Sequence, residues 1–257
     1  MSLIFKKEQQ VNSDSYSSRE DASPGNNTGR LAGLLWFLST LTGALGLLFI
    51  RTSVLVPGGD AATIAGNVLT SEFSFRAAIV GILLAQIFLF FLGLTLFHMF
   101  KDVNRRLAMV LLASAMITVG IAVVNTLNQL GALLVLSRPD FLNVFSIEQL
   151  DAVALFFLRL ANSSGQGLIE IFWAPFYFSL GLLILRSRSL PKILGILLMI
   201  MGAGFAVNIF QKFLLPQFYP AVFTQLAMLG GALGGIPTIF WLLIRGAKVQ
   251  PLAAQAS

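Results

Sequence analysis

The sequence predicts an all-α integral membrane protein: a six-transmembrane-helix bundle with short amphipathic outer helices and both termini in the cytoplasm. Three observations carry that prediction. Hydrophobic residues make up 56% of the 257 positions and charged residues only 11%, against about 25% charged in an average soluble domain; the mean hydropathy is +0.84. The apolar residues gather into runs of the length a bilayer demands, since a hydrocarbon core of about 30 Å takes about 20 residues of helix. The basic residues fall on alternate connections between those runs, the bias that holds Lys and Arg on the cytoplasmic side.

Residues 1–29, rich in Ser, Asp, Asn and Gly, offer too little apolar surface to offset their ordering entropy and are expected to form a disordered cytoplasmic tail. The opening MSLIFKKEQQ lacks the basic-then-apolar order of a cleavable signal peptide, so the first apolar run is expected to be a retained anchor. The membrane domain is expected over residues 30–247, with spans at 31–50, 77–100, 107–136, 163–185, 191–213 and 223–244, and a cytoplasmic tail at 248–257. Leu31–Ile50, Ala77–Phe100, Leu107–Leu136, Ile193–Gln211 and Phe213–Ile244 contain no charged residue, and Ser163–Leu185 is interrupted only by Glu170.

With the N-terminus inside, 12 of the 17 Lys and Arg residues lie on cytoplasmic segments and 5 outside. The inner connections are short and basic, KDVNRR at 101–106 and RSRSLPK at 186–192. The first two outer connections are longer. Pro57-Gly58-Gly59 turns into Asp60 as an expected N-cap, after which Ala61, Ile64, Ala65, Val68 and Leu69 recur at helical spacing. Ser146 and Gln149 have the spacing of a capping box, followed by an Ile147, Leu150, Val153, Ala154, Phe157 stripe. Both segments are expected to lie on the outer face as amphipathic helices.

Helix packing in lipid relies on small residues. Gly230/Gly234 and Gly231/Gly235 in the last span are therefore expected to seat it tightly on a neighbour, with Gly43/Gly46 and Gly195/Gly202/Gly204 acting more weakly. Pro175 and Pro237 each remove a backbone donor and mark candidate kinks. Trp36 and Trp241 fall near inner helix ends, where interfacial aromatics sit.

No catalytic or metal site is expected. The chain has no Cys and one His, His98, expected as interfacial filler; Gly-rich phosphate loops, HExxH and GxSxG are absent. The charge of +6 is spread over helix ends, which excludes nucleic acid as an expected partner and leaves the bilayer. No cofactor is implied.

The informative residues are the polar ones inside spans. Asn125, Asn128 and Gln129 share one helix face; Asn208, Gln211 and Lys212 share another; Gln86 and Glu170 stand at similar depth on the outer side. Polar groups facing lipid are penalised and turn to the bundle interior, so one shared cluster is expected. Glu170 should pair with a cation, Lys212 or Arg159, or take up a proton. The bland alternative for the amides is polar glue between helices, at about 0.6 kcal/mol per contact.

Several stretches resemble a bacterial membrane family known as domain of unknown function 4386: GRLAGLLWFLSTLTG at 29–43, VPGGDAATIAGNVL at 56–69, VNRRLAMVLL at 103–112, NTLNQLGALL at 125–134, IFWAPFYFSLGLLIL at 171–185 and SLPKILGILLMIMGAGF at 189–205. The resemblance implies a six-span bundle and no particular activity; the expected location is the inner (cytoplasmic) membrane. It implies an uncharged amide where Glu170 stands, so a shared mechanism through that charge is not implied. The expected function is non-enzymatic: binding a small or lipid-like ligand in the outer half of the bundle, or acting as a membrane scaffold. Two alternatives stay open, a small proton-coupled transporter using Glu170 and an accessory subunit of a larger membrane complex; a homo-oligomer or another membrane protein is then the expected partner.

Overall fold

Hydrocarbon offers a peptide group no water, so an apolar chain satisfies its backbone by winding into helix. The computed structural model describes residues 24–162, 166–214 and 231–247, and contains no strand among them. The remaining parts of both expected tails, and residues 223–230 of the expected last span, lie outside the described residues.

Helix α1 (Pro24–Phe49) runs into a π-helical turn, Ile50–Val54. The short α2 (Ala61–Thr70) follows. Glu72–Leu136 is broken at Asn104, whose φ of −157° and ψ of 101° are extended, giving α3 (residues 72–103) and α4 (residues 105–136). Then come α5 (Ile147–Leu160), α6 (Gln166–Ser187), α7 (Lys192–Leu214) and, after a π-helical turn at Gly231–Gly235, α8 (Ile236–Arg245). Among the described residues four helical stretches are long and apolar enough to cross a membrane: Asn26–Val54, Glu72–Leu136, Gly167–Ser187 and Lys192–Leu214.

Asn104 has an identifiable role. Its Oδ1 accepts the Leu107 N–H at 3.0 Å, an N-cap that restarts helix immediately. The chain folds back there, because a Cβ placed on Gly93 of α3 would stand 3.0 Å from Ala115 Cβ of α4. The expected basic connection at 101–106 thus shrinks to a single extended residue.

The caps read from the sequence are present. Asp60 Oδ1 accepts the Thr63 N–H at 2.8 Å. Ser146 Oγ accepts the Gln149 N–H at 3.3 Å, while Gln149 Oε1 accepts the Ser146 N–H at 2.9 Å. Both short helices bury their apolar faces (Ile64 and Val68; Leu150, Ala154 and Leu158) in one core with Ile50, Phe75, Leu133 and Leu136. Hydrogen bonds from the Thr63 side chain and amide hold the Asp60 carboxyl below its ordinary range. A depressed carboxylate contributes stability above its unfolded pKa and loses it as pH falls through the folded value. The α2 amide signals are expected to report fraying once pH drops below about 4; Asp60→Asn, which caps without titrating, should show no such step in the same NMR titration.

Two boundaries differ from expectation. Helix begins at Pro24 rather than at 30, because Pro pre-sets the first helical φ and the first turns are packed. A Cβ on Gly33 would meet Leu243 N at 2.6 Å, so α1 lies directly against α8. The tight packing expected of the last span's glycines holds at Gly234, set against Leu197, whereas a Cβ on Gly235 would meet nothing within 4 Å and Gly230 lies outside the described residues. Closer than Gly234 are the glycines between α6 and α7, where a Cβ on Gly202 would come 2.8 Å from Ala174 O and one on Gly195 2.9 Å from Gly181 O. Next to Pro237 the Thr238 hydroxyl donates to Gly234 O at 2.6 Å.

A second core, around Leu92, Leu96, Phe100, Leu111, Phe176, Leu183 and Leu198, fills the end of the bundle at Asn104. The two cores are not continuous. What separates them is the candidate site.

Candidate functional site

Between the cores lies a cavity of about 220 Å³. Trp36, Leu89 and Tyr177 on its wall belong to the core at the Asn104 end, and Ile82 packs on the other. Four helices line it with residues at helical spacing. α1 brings Trp36, Ser39, Thr40, Gly43, Ala44 and Leu47, and α3 brings Ile82, Ala85, Gln86 and Leu89. α4 brings Thr118, Ala122, Asn125, Thr126 and Gln129, and α6 brings Ile169, Trp173 and Tyr177. Ser39 Oγ donates to Ala85 O at 2.9 Å and ties α1 to α3 beside the cavity.

Its polar groups divide into used and unused. Asn125 Nδ2 donates to Ala161 O at 3.0 Å, closing the end of α5 onto α4, and Asn125 Oδ1 accepts Asn128 Nδ2 at 3.2 Å. These two amides are structural glue. Gln86 Nε2 donates to Ile82 O at 3.3 Å, which leaves its oxygen over. The Oε1 of Gln86, the Oε1 of Gln129 and the Oγ1 of Thr118 are buried without a hydrogen-bond partner, and all three residues line this cavity. Thr118 is unusual in this fold: Thr42, Thr95, Thr126 and Thr238 each donate to the carbonyl four residues back. Buried polar groups are nearly always paired, and each exception points to a group that completes it.

Glu170 is elsewhere. It is half-buried on α6, and its Oε2 accepts the Asn208 Nδ2 of α7 at 2.7 Å. Lys212, a turn beyond Asn208, lays its chain over Gly167, where a Cβ would stand 3.0 Å from Nζ. Gln211 is half-buried on the same helix. None of these four lines the cavity. The single cluster expected from depth is therefore two: Gln86, Asn125, Asn128 and Gln129 on the α1–α3–α4–α6 side, and Glu170, Asn208, Gln211 and Lys212 between α6 and α7. Rotation about the helix axes divides them.

Sequence reasoning missed Thr118, Trp173 and Tyr177, and misplaced Trp36. Trp36 is 5% exposed, deep in the core rather than interfacial. Its ring lies 6.2 Å from Tyr177, which stacks on Trp173 at 5.2 Å and on Phe205 at 5.8 Å. The signal was present: Thr118, Ala122, Asn125 and Gln129 form one small-and-polar stripe, and Ile169, Trp173 and Tyr177 recur at i, i+4, i+8. Trp241 does behave as an end-of-helix aromatic, half-buried with the Arg245 guanidinium 4.9 Å over its ring. A second acid also escaped notice. Asp151 of α5 is 7% exposed and faces Arg138 at 3.8 Å.

The Glu170–Asn208 bond makes a stability prediction. Removing one partner of a buried pair costs about 1–3 kcal/mol, whereas replacing both by apolar groups is nearly neutral. Asn208→Leu should lower the thermal midpoint in detergent. Glu170→Gln, which keeps an oxygen for the Asn208 amide, should lower it less, and Glu170→Leu combined with Asn208→Leu should recover most of the loss. Equal losses in all three variants would show that the bond carries no net stability.

The sequence model of a family described as "Domain of unknown function (DUF4386)" matches residues 31–246. No curated protein and no solved structure matches the chain.

Proposed function

We propose the following for this chain, which belongs to the DUF4386 family: it is a non-enzymatic membrane protein that binds a small or lipid-like ligand in the cavity between α1, α3, α4 and α6. One observation carries the proposal, the convergence of three unpartnered buried oxygens on one void. A purely structural bundle gains nothing from such groups, because each unsatisfied one costs about 1–3 kcal/mol. A ligand that bonds them turns that cost into affinity. At about 220 Å³ the cavity is below the roughly 300–1,000 Å³ of drug-sized sites, so it suits a small molecule or one end of a longer one.

The proposal includes six spans with both termini in the cytoplasm. In support, Arg30, Lys101, Arg105, Arg106, Arg186, Arg188, Lys192 and Arg245 occupy helix ends on the Asn104 side, against Arg51, Arg76, Arg138, Arg159 and Lys212 on the side of α2 and α5. The cavity then opens in the outer half. A proton-coupled carrier acting through Glu170 is less favoured, since that carboxyl bonds Asn208 and does not line the cavity.

Ligand extraction tests the proposal. Wild-type protein purified in mild detergent should release, on organic extraction, a species absent from Ala122→Phe, whose ring would occupy the void. Identical extracts from two equally folded proteins would overturn it.

A further inference from the structure

We infer that the ligand is an uncharged, membrane-dissolved amphiphile bearing hydroxyl groups, and that it enters sideways from the lipid past Thr40 and Ala44. The inference rests on the binding role proposed above and names its chemistry and route.

The acceptors set the class. Two of the three unpartnered atoms are amide oxygens, which accept and never donate. The third, the Thr118 hydroxyl, does either. The missing partner must therefore bring hydrogen-bond donors, at least two of them if both glutamines are to be satisfied. Among the described residues lining the cavity there is no Asp, Glu, Lys, Arg or His. A charged ligand would leave water and find no counter-charge, which costs several kcal/mol per ion; donors on a neutral molecule, hydroxyls above all, carry no such penalty. The Trp36, Trp173 and Tyr177 rings in the same lining offer apolar faces to a hydrocarbon body.

The route follows from exposure. Trp36, deeper on the α1 stripe, is buried, yet Thr40 and Ala44 on the same cavity wall are exposed. Both lie within Leu31–Ile50, which contains no charged residue, so the surface they share is in hydrocarbon rather than in water. Small side chains at these two positions leave a lateral mouth. A tail longer than the cavity can extend through it into the bilayer.

The test uses the full chain in lipid nanodiscs. The protein has three tryptophans, and Trp241→Phe removes the one that does not line the cavity, leaving Trp36 and Trp173 as reporters. Three bilayer-soluble quenchers of equal chain length are compared: a brominated 1,2-diol, the brominated alkane and a brominated alkyltrimethylammonium. The diol should quench saturably, and Gln129→Leu with Thr118→Val should weaken it about tenfold, two hydrogen bonds being lost together. The alkane should quench in simple proportion to its membrane concentration in both proteins. Ala44→Phe, or Thr40→Phe, should narrow the mouth and slow the stopped-flow association of the diol about tenfold. A diol no better than the alkane, or an ammonium probe that binds more tightly, overturns the ligand class while leaving the binding role standing. Unchanged rates in both mouth variants overturn the lateral route. Absence of saturable quenching by every probe overturns the binding role itself.

Discussion

Replacing Gln129 by Leu, or Thr118 by Val, is expected to stabilise the ligand-free protein while weakening whatever binds it. Each wild-type side chain holds a buried oxygen without a partner, a burden of about 1–3 kcal/mol that an apolar residue of like shape removes. A gain of about 1 kcal/mol per site corresponds to roughly 2–4 °C in the thermal midpoint for a chain of this size. Asn125→Leu supplies the contrast. Both polar atoms of its amide are bonded, Nδ2 to Ala161 O and Oδ1 from Asn128, so the same kind of change there should lower the midpoint through a loss of about 1–3 kcal/mol. Neighbouring polar residues on one face of α4 should thus respond with opposite signs. Stability held below its optimum at a functional site is the usual trade between activity and packing. Loss of stability in Gln129→Leu and Thr118→Val alike would mean that these groups are satisfied, and the binding proposal would lose its basis.

The largest destabilisation is expected from Gly202→Leu. Even a Cβ at this position would stand 2.8 Å from Ala174 O and 2.9 Å from Phe178 N, both backbone atoms that cannot swing aside. A branched side chain must push α6 and α7 apart and strip the contact that lets two backbones approach in lipid. Overpacking of this kind costs about 1–3 kcal/mol and occasionally more; the upper end is expected because the obstacle is main chain. The Glu170–Asn208 bond between the same two helices should loosen with it. Gly120→Ala is the control: it finds nothing within 4 Å and should gain up to about 1 kcal/mol from helix propensity. Thermal unfolding monitored by circular dichroism separates the two, and equal midpoints would refute the close α6–α7 contact.

Much of the fold was legible because bilayer physics leaves few choices. Within the described residues the uncharged runs became helices, the turn before Asp60 and the Ser146–Gln149 spacing became caps, and Asn104 broke the chain inside the basic stretch where a reversal was expected. The candidate site was legible only in part. Periodicity places Asn125, Asn128 and Gln129 on one face, but it does not say that Asn125 closes α5 while Gln129 is left over. Nor does depth predict contact: Glu170 and Gln129 stand on opposite sides of α6. Helix rotation is set by where small residues permit backbones to meet, such as Gly46, where a Cβ would come 2.5 Å from Ala78 O, and Gly202 on Ala174. Those contacts are long-range, and one chain's sequence does not pair them. Trp36 was misplaced for the same reason: nearness to a helix end suggested the interface, and the α1–α8 contact through Gly33 put that end inside the bundle.

The most direct measurement is a density map of the protein taken gently from its own membrane, inspected at the void bounded by Gln86, Thr118 and Gln129. The account predicts an elongated non-protein feature whose polar end bonds those oxygens and whose body leaves past Ala44. A void that has closed, with the two glutamine amides bonded to protein groups and no room left between the cores, would contradict it.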